Sequence, residues 1–412
     1  VDLIINKATM ENLTLLDETI IFNKTPQGLK ISGTPPSGTN EVYEYEGINP
    51  TVYPKSTNAP TNAGKYSVTA TLTNPNYNTE TLTATLTINK AQAVITASTP
   101  QTYTYDGSVK NADAALNHTE STLSYNPQQG YTDVGSYTID ITAPASENYE
   151  EIRKTVTLII NPAPITGVKL DSKTTTYDGT PKDHQITGTP PAGTIVVYEY
   201  EGISPTAYTK SANPPVNAGK YQVTATLTHP NYVTLQLTTT LTINKATPVI
   251  TAVEEQIHTY DGIVKNIVAT LNHGESALTY TPQQGYTDAG TYSITITAPE
   301  SENYKSLDQV VKLIINKSTI SGINFDSKDV TYNGSPQPVQ ITGTPPSGTT
   351  VVYEYEGIDP TSYTKSTTPP TDAGSYKVTV TLTNPNYEKL EISTTLTINP
   401  AQFTGITLKD QT

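Results

Sequence analysis

The stretch Thr132–Ile141, TDVGSYTIDI, is written again as TDAGTYSITI at 287–296 and TDAGSYKVTV at 371–380. Looser copies stand at 61–70, TNAGKYSVTA, and at 216–225, VNAGKYQVTA. Each copy reads as a tight turn running into a strand. Gly135, Gly290 and Gly374 permit the turn, and Asp133, Asp288 and Asp372 are expected to cap it. Other phrases repeat with one fixed step. GTPPSGT starts at Gly33 and Gly343, GTPPAGT at Gly188, and YEYEG starts at Tyr43, Tyr198 and Tyr353, so that each period is about 155 residues and holds two of the turn phrases.

A closing phrase, TLTIN or LIIN before Lys or Pro, ends at Asn89, Asn161, Asn244, Asn316 and Asn399. It divides the chain into long modules at 8–90, 163–245 and 318–400 and short ones at 91–162 and 246–317. Residues 1–7 read as the end of a preceding repeat, and 401–412 as the start of a following one. No Gly/Ser linker stands at the joints, which favours a stiff, extended array. In 377–383, KVTVTLT, Val378, Val380 and Leu382 alternate with polar residues, and turn signals recur every 8–12 residues. The expected fold is all-β, a tandem array of small β-sandwiches, with β-grasp-like repeats as the alternative.

Tyr137, Tyr292 and Tyr376 refine that expectation. An immunoglobulin-type domain places a tyrosine near the start of its sixth strand, where its hydroxyl bonds back to the backbone and pins the corner. Here Asp-x-Gly precedes each tyrosine at the matching spacing. Ile139, Ile294 and Val378 stand two residues later, where an antibody domain has its cysteine. Tyr-Asp-Gly at 105–107, 177–179 and 260–262, and Tyr-Asn-Gly at 332–334, are tight-turn signals. The first module has Phe22-Asn23-Lys24 there, which predicts an altered or weaker turn.

Composition limits the function. The chain has 412 residues with 31 Pro, 25 Gly, 28 Tyr, 3 Phe and no Trp or Cys. The absence of cysteine excludes disulfides, zinc ribbons and thiol chemistry. The net charge of −14 makes nucleic acid and anionic membrane surfaces unfavourable partners. The five histidines are dispersed, no calcium loop recurs, and no nucleophile–base pair or phosphate loop is present, so neither an enzyme nor a cofactor is implied.

The acidic, tyrosine-flanked YEYEG stretches are the candidate ligand-binding sites. On a strand Glu44 and Glu46 share a face at roughly 6.5–7 Å, and Glu199, Glu201, Glu354 and Glu356 repeat the pair. The loops with Tyr53, Tyr208 and Tyr363 follow. Tyr43 and Tyr45 are expected to point into the core, leaving the glutamates to solvent, with the Pro-rich loops protecting sheet edges. A Lys–Asn crosslink would need one buried lysine in every module. Lys169 aligns with Thr14 and Asn324, and Lys110 and Lys265 recur in the short modules after the Asp-Gly turn, an exposed setting.

Tyr-Asp-Gly, AG-x-Y-x-V, the Asn-Tyr pairs at 76–77, 231–232 and 386–387, and the closing TLTIN-K-A resemble, in that order, the MBG-type repeats of large bacterial surface proteins and adhesins. The resemblance covers nearly the whole chain. It implies an exported, extracellular array displayed on the bacterial surface, and it supplies no catalytic residues. With the direct joints, it predicts a monomeric, semi-rigid stalk roughly 150–200 Å long from domains of ~35–40 Å, holding a binding head away from the cell. The alternative is that the repeats bind host glycans, matrix proteins or neighbouring copies by avidity.

Overall fold

The computed structural model describes residues 1–405, and among them every regular element is a strand. Of the repeat expected at 401–412, residues 406–412 lie outside the described residues. Among the described residues no helix is long and apolar enough to cross a membrane.

The first sheet shows how the pattern becomes structure. Gly64–Asn74 and Tyr77–Asn89 form an antiparallel hairpin, and Asn40–Gly47 pairs antiparallel to the first of them. Glu18–Ile21 adds on the other side, parallel to the last strand, with Glu18 opposite Leu86. The last three strands therefore lie in the C–F–G order of an immunoglobulin sheet, and the corner tyrosine Tyr66 opens the F-like strand. Among the described residues no helix covers the sheet, so the β-grasp alternative falls.

The same order recurs. The second sheet runs Gln101–Thr104, Ile152–Asn161, Gly135–Ala143, Ser124–Asn126, and the fourth runs Glu255–Thr259, Leu307–Asn316, Gly290–Ala298, Thr279–Thr281. The fifth runs Lys328–Thr331, Tyr387–Asn399, Gly374–Asn384, Thr350–Gly357. In the third, Ala163–Pro164 and Lys173–Thr176 both join Tyr232–Asn244, followed by Gly219–His229 and Ile195–Gly202. The chain divides into two compact units, one of Val1–Leu170, Ile186–Tyr198 and Thr224–Leu237, the other of Asp171–Gln185, Glu199–Val223 and Thr238–Thr412.

Alternation places the core. Val68, Ala70 and Leu72 are fully buried against Leu86 and Ile88, as are Ile139, Ile141, Leu158 and Ile160 in the second sheet. Each such aliphatic side chain contributes about 1.5–3 kcal/mol. The layer facing the long sheets is thin. In the first module it carries Leu13, Leu15 and Leu29, and its bridge is Thr14 to Ser32. Tyrosine hydroxyls supply hydrogen bonds that a second regular sheet would otherwise provide. The backbone N–H groups of Ile186, His184, Ile341 and Val339 donate to Tyr198, Tyr200, Tyr353 and Tyr355. A buried amide needs such a partner, which explains the use of Tyr where Phe would fill the same volume.

The turn of the first module, expected to be altered or weaker, keeps its Asx hydrogen bond. Asn23 accepts from the Thr25 amide at 2.9 Å, as Asp106 accepts from Ser108 at 2.8 Å. The turn is kept with Lys24 at φ 71° where the other modules have glycine. Lys24→Gly is therefore expected to raise the stability of this module by about 1 kcal/mol, read by chemical denaturation.

Candidate interaction site at the module joints

The candidate carboxylates point away from the core, and the first of each pair is tied to a lysine. Glu44, Glu199 and Glu354 pair with Lys55, Lys210 and Lys365 at 2.8–2.9 Å. Glu46, Glu201 and Glu356 are exposed beside them. Tyr45, Tyr200 and Tyr355 are buried. Tyr53, Tyr208 and Tyr363 turn into their own loops, where each hydroxyl donates to a carbonyl five residues on, and each ring packs edge-on to Tyr66, Tyr221 or Tyr376. The segment after these tyrosines returns to the sheet edge: the Tyr45 amide donates to Ser56 O and the Ser56 amide to Tyr45 O. Edge cover thus comes from this loop. A surface glutamate–lysine pair of this kind is worth no more than about 1 kcal/mol.

The corner residues have two jobs. Tyr137, Tyr292 and Tyr376 donate their hydroxyls to the carbonyls of Asp133, Asp288 and Asp372 at 2.8, 2.8 and 2.6 Å. The carboxylates of Asp133 and Asp288 do not cap this turn. They reach the next module, accepting from the side-chain amides of Asn231 and Asn386 at 2.9 and 3.0 Å. Gly135 and Gly290 let the chain pass close over their own tyrosine rings, where a Cβ would be crowded.

Those two asparagines belong to Asn-Tyr pairs, and every joint uses one as a plug. The residue before the corner glycine donates its amide to the plug asparagine: Ala63 to Asn148 at 2.7 Å, Val134 to Asn231 at 2.9 Å, Ala218 to Asn303 and Ala289 to Asn386 at 2.7 Å. The plug tyrosine meets the ring that begins the turn motif of the preceding module. Phe22 packs edge-on to Tyr149, Tyr105 to Tyr232, Tyr177 to Tyr304 and Tyr260 to Tyr387, at 5.3–5.5 Å. The chain passes between modules in two residues, and Ala91, Ala163, Ala246 and Ser318 already bond to the plug backbone. The sequence carried the missing signal, since Asn148-Tyr149 and Asn303-Tyr304 repeat the dipeptide in the short modules.

His118 and His273 lie behind the plugs, stacked on Tyr149 and Tyr304 at 3.9 and 3.8 Å. Their Nδ1 atoms accept from the Glu120 and Glu275 amides. Burial alone would raise the Glu120 carboxyl, but hydrogen bonds from the Asn148 side chain, the Ser146 hydroxyl and the Asn148 amide, with His118 nearby, hold it below its ordinary value; Glu275 behaves alike. A depressed carboxylate stabilises the fold above the unfolded value and loses that contribution as pH falls through the folded one. The two long-to-short joints are accordingly expected to weaken below about pH 4.3, the ordinary glutamate value. Amide exchange at Ala63 and Ala218 between pH 6 and pH 3, corrected for intrinsic rates, checks this.

Lys110 and Lys265 correct the expectation of exposure. Their side chains are only 14% and 16% exposed and are tied to Asp106 and Asp261 at 2.6 Å. No cluster of three or more potential metal ligands occurs among the described residues. A cleft opens beside each long-to-short joint. One of about 880 Å³ is lined by Tyr53, Asn62, Lys65, Lys90 and Glu147, and one of about 910 Å³ by Tyr208, Asn217, Lys220, Lys245 and Glu302.

Several solved multi-domain ectodomains match the chain. The protocadherin gammaB4 extracellular domain matches at 12% identity and TM-score 0.28, over 95% of this chain and 85% of that one. Sidekick-1 immunoglobulin domains 1–5 match at 12% and 0.21, over 95% and 98%. The human desmocollin-1 ectodomain matches at 10% and 0.21, over 95% and 98%. Comparison with curated proteins finds no match. The MBG domain profile matches residues 12–92, 166–247 and 322–402, more than half of the chain. Its three matches fall on the long modules, where the Tyr-Asp-Gly turn (Tyr-Asn-Gly in the last, Phe-Asn-Lys in the first), the corner tyrosine and the Asn-Tyr plug have just been located, and the chain belongs to the MBG domain family.

Proposed function

We propose that this chain is part of the stalk of a bacterial cell-surface adhesin: an extracellular, non-enzymatic array of five modules, divided at 90/91, 162/163, 245/246 and 317/318, that holds a binding head away from the cell. The supporting observation is the repeated joint. At each one, the residue two after the closing asparagine already bonds to the plug backbone, and an asparagine–aromatic clamp ties the plug to the preceding turn. A clamp that satisfies backbone donors across a joint removes the freedom a flexible linker would leave. Solution scattering tests the reading. A stiff array of the expected length has a radius of gyration of about 40–60 Å, against about 22 Å for a compact chain of this size. A value near the lower figure refutes it.

A second reading is favoured by the paired clefts. Two equivalent hollows, each offering a tyrosine, two lysines, an asparagine and a glutamate, are suited to a polar ligand such as a host glycan or a matrix protein segment, with avidity multiplying weak sites. Binding on a glycan and matrix-protein array that is lost in the Tyr53→Ala, Tyr208→Ala double variant supports it; an array with no binding removes it.

A further inference from the structure

The joints are of two kinds, and one residue separates them. Where a long module meets a short one, the residue four before the corner tyrosine is asparagine. Its side-chain amide donates to the glutamate preceding the plug: Asn62 to Glu147 at 2.8 Å and Asn217 to Glu302 at 2.9 Å. The Asn62 and Asn217 Oδ1 atoms also accept from the plug asparagine, at 3.3 and 3.4 Å; where a short module meets a long one, the same place holds Asp133 or Asp288, which likewise accepts from the plug asparagine but has no amide to donate. The plugs match this difference. Short modules present Glu147-Asn148-Tyr149 and Glu302-Asn303-Tyr304; long ones present Pro230-Asn231-Tyr232 and Pro385-Asn386-Tyr387.

The selectivity is one-sided. An aspartate facing Glu-Asn-Tyr would set two carboxylates at hydrogen-bond distance, where one must take up a proton or the joint must open. An asparagine facing Pro-Asn-Tyr only exchanges a charged acceptor for a neutral one. Aspartate therefore excludes the short plug, whereas asparagine tolerates either.

The third long module departs from the other two. It carries Asp372 where they have Asn62 and Asn217. Tyr332, the equivalent of the four clamped rings, is 40% exposed. We propose that Tyr332, Asp372 and the Ala373 amide form a docking surface selective for a Pro-Asn-Tyr plug, borne by a long-type module that continues the chain after Pro400. A separate observation agrees. Six residues after the closing asparagine, the chain takes a positive φ where a long module opens, at Asn12 (62°), Gly167 (77°) and Gly322 (68°). At the same place short modules have Ile95 and Ile250, both in strands. Gly405, six residues after Asn399, has φ 85°. The sequence there, Pro400-Ala401-Gln402-Phe403-Thr404-Gly405, follows Pro162-Ala163-Pro164-Ile165-Thr166-Gly167. The selectivity belongs to the joints and holds whether the array projects a head or binds by itself.

Amide exchange at the joint donors of the full chain tests this. Asn62→Asp is expected to speed exchange at Ala63 by about tenfold or more, adding Glu147→Gln to restore it, and Asp133→Asn to change Val134 by less than about threefold. For the end surface, the chain through Pro400 is continued with a second copy of 163–245 or of 91–162. Ala373 is expected to be protected about tenfold better by the long continuation, and Asp372→Asn to remove the difference. Equal protection of Ala373 by both continuations, or an Asn62→Asp chain in which Ala63 exchanges as before, overturns the proposal.

Discussion

Replacing Asn148 with alanine is expected to destabilise the first long-to-short joint by about 3 kcal/mol, because the half-buried Ala63 amide loses its acceptor and the Glu120 carboxylate loses one of its three donors. Asn148 is 5% exposed. Its Oδ1 accepts from the Ala63 amide at 2.7 Å, and its Nδ2 donates to Glu120 at 3.0 Å. Alanine offers neither group. The change should appear as a lower denaturation midpoint and as rapid exchange of the Ala63 amide. Asn76→Ala is the control. It alters the same dipeptide in the first long module, where the side chain makes no hydrogen bond among the described residues, and its cost should stay below about 0.5 kcal/mol. Equal effects from the two substitutions would show that the dipeptide stabilises its own hairpin and not the joint.

The second large effect is expected at Gly343, the first glycine of GTPPSGT. It sits at φ 98°, and a Cβ there would press onto the carbonyl oxygen of Gly322. Backbone strain and a steric clash act together, and neither neighbour is a flexible side chain that could move aside. Gly343→Ala should cost about 3 kcal/mol or more. Gly348 closes the same phrase with φ 77° and open space around its Cα. Gly348→Ala carries only the left-handed penalty, about 1 kcal/mol. Thermal unfolding of the two variants separates the clash from the strain. The glycine that begins GTPP is thus required by the approach of the module's opening segment, a reason that its position in a proline-rich loop does not suggest.

Much of the fold was legible because its causes are local. The alternation Val378, Val380, Leu382 places three side chains on one face of any strand, and these residues are fully buried. The corner needs a glycine to turn and a tyrosine two residues on, and the Tyr137 hydroxyl returns to a carbonyl only four residues away. In the YEYEG stretch the strand period puts the tyrosines and glutamates on opposite faces, and the apolar ring bodies take the inner one, with Tyr45 buried and Glu46 exposed. Its ligand role was not legible, since the partner of Glu44 is Lys55 on the returning loop, and a loop has no period from which to forecast its path.

The 155-residue step, the strand faces, the tight turns and the family were determined by the sequence by itself, for they depend on residue type and short spacing. Only the tertiary structure decided what Asp133, Asn148 and Lys110 do. Asp133 meets Asn231 across 98 positions, and Asn148 meets Ala63 across 85. Such contacts exist only once one module's last strand has carried the chain to the next module's first bond. The repeated dipeptide marks the plug but not its partner, because each residue of such a hydrogen bond could satisfy an ordinary turn where it stands.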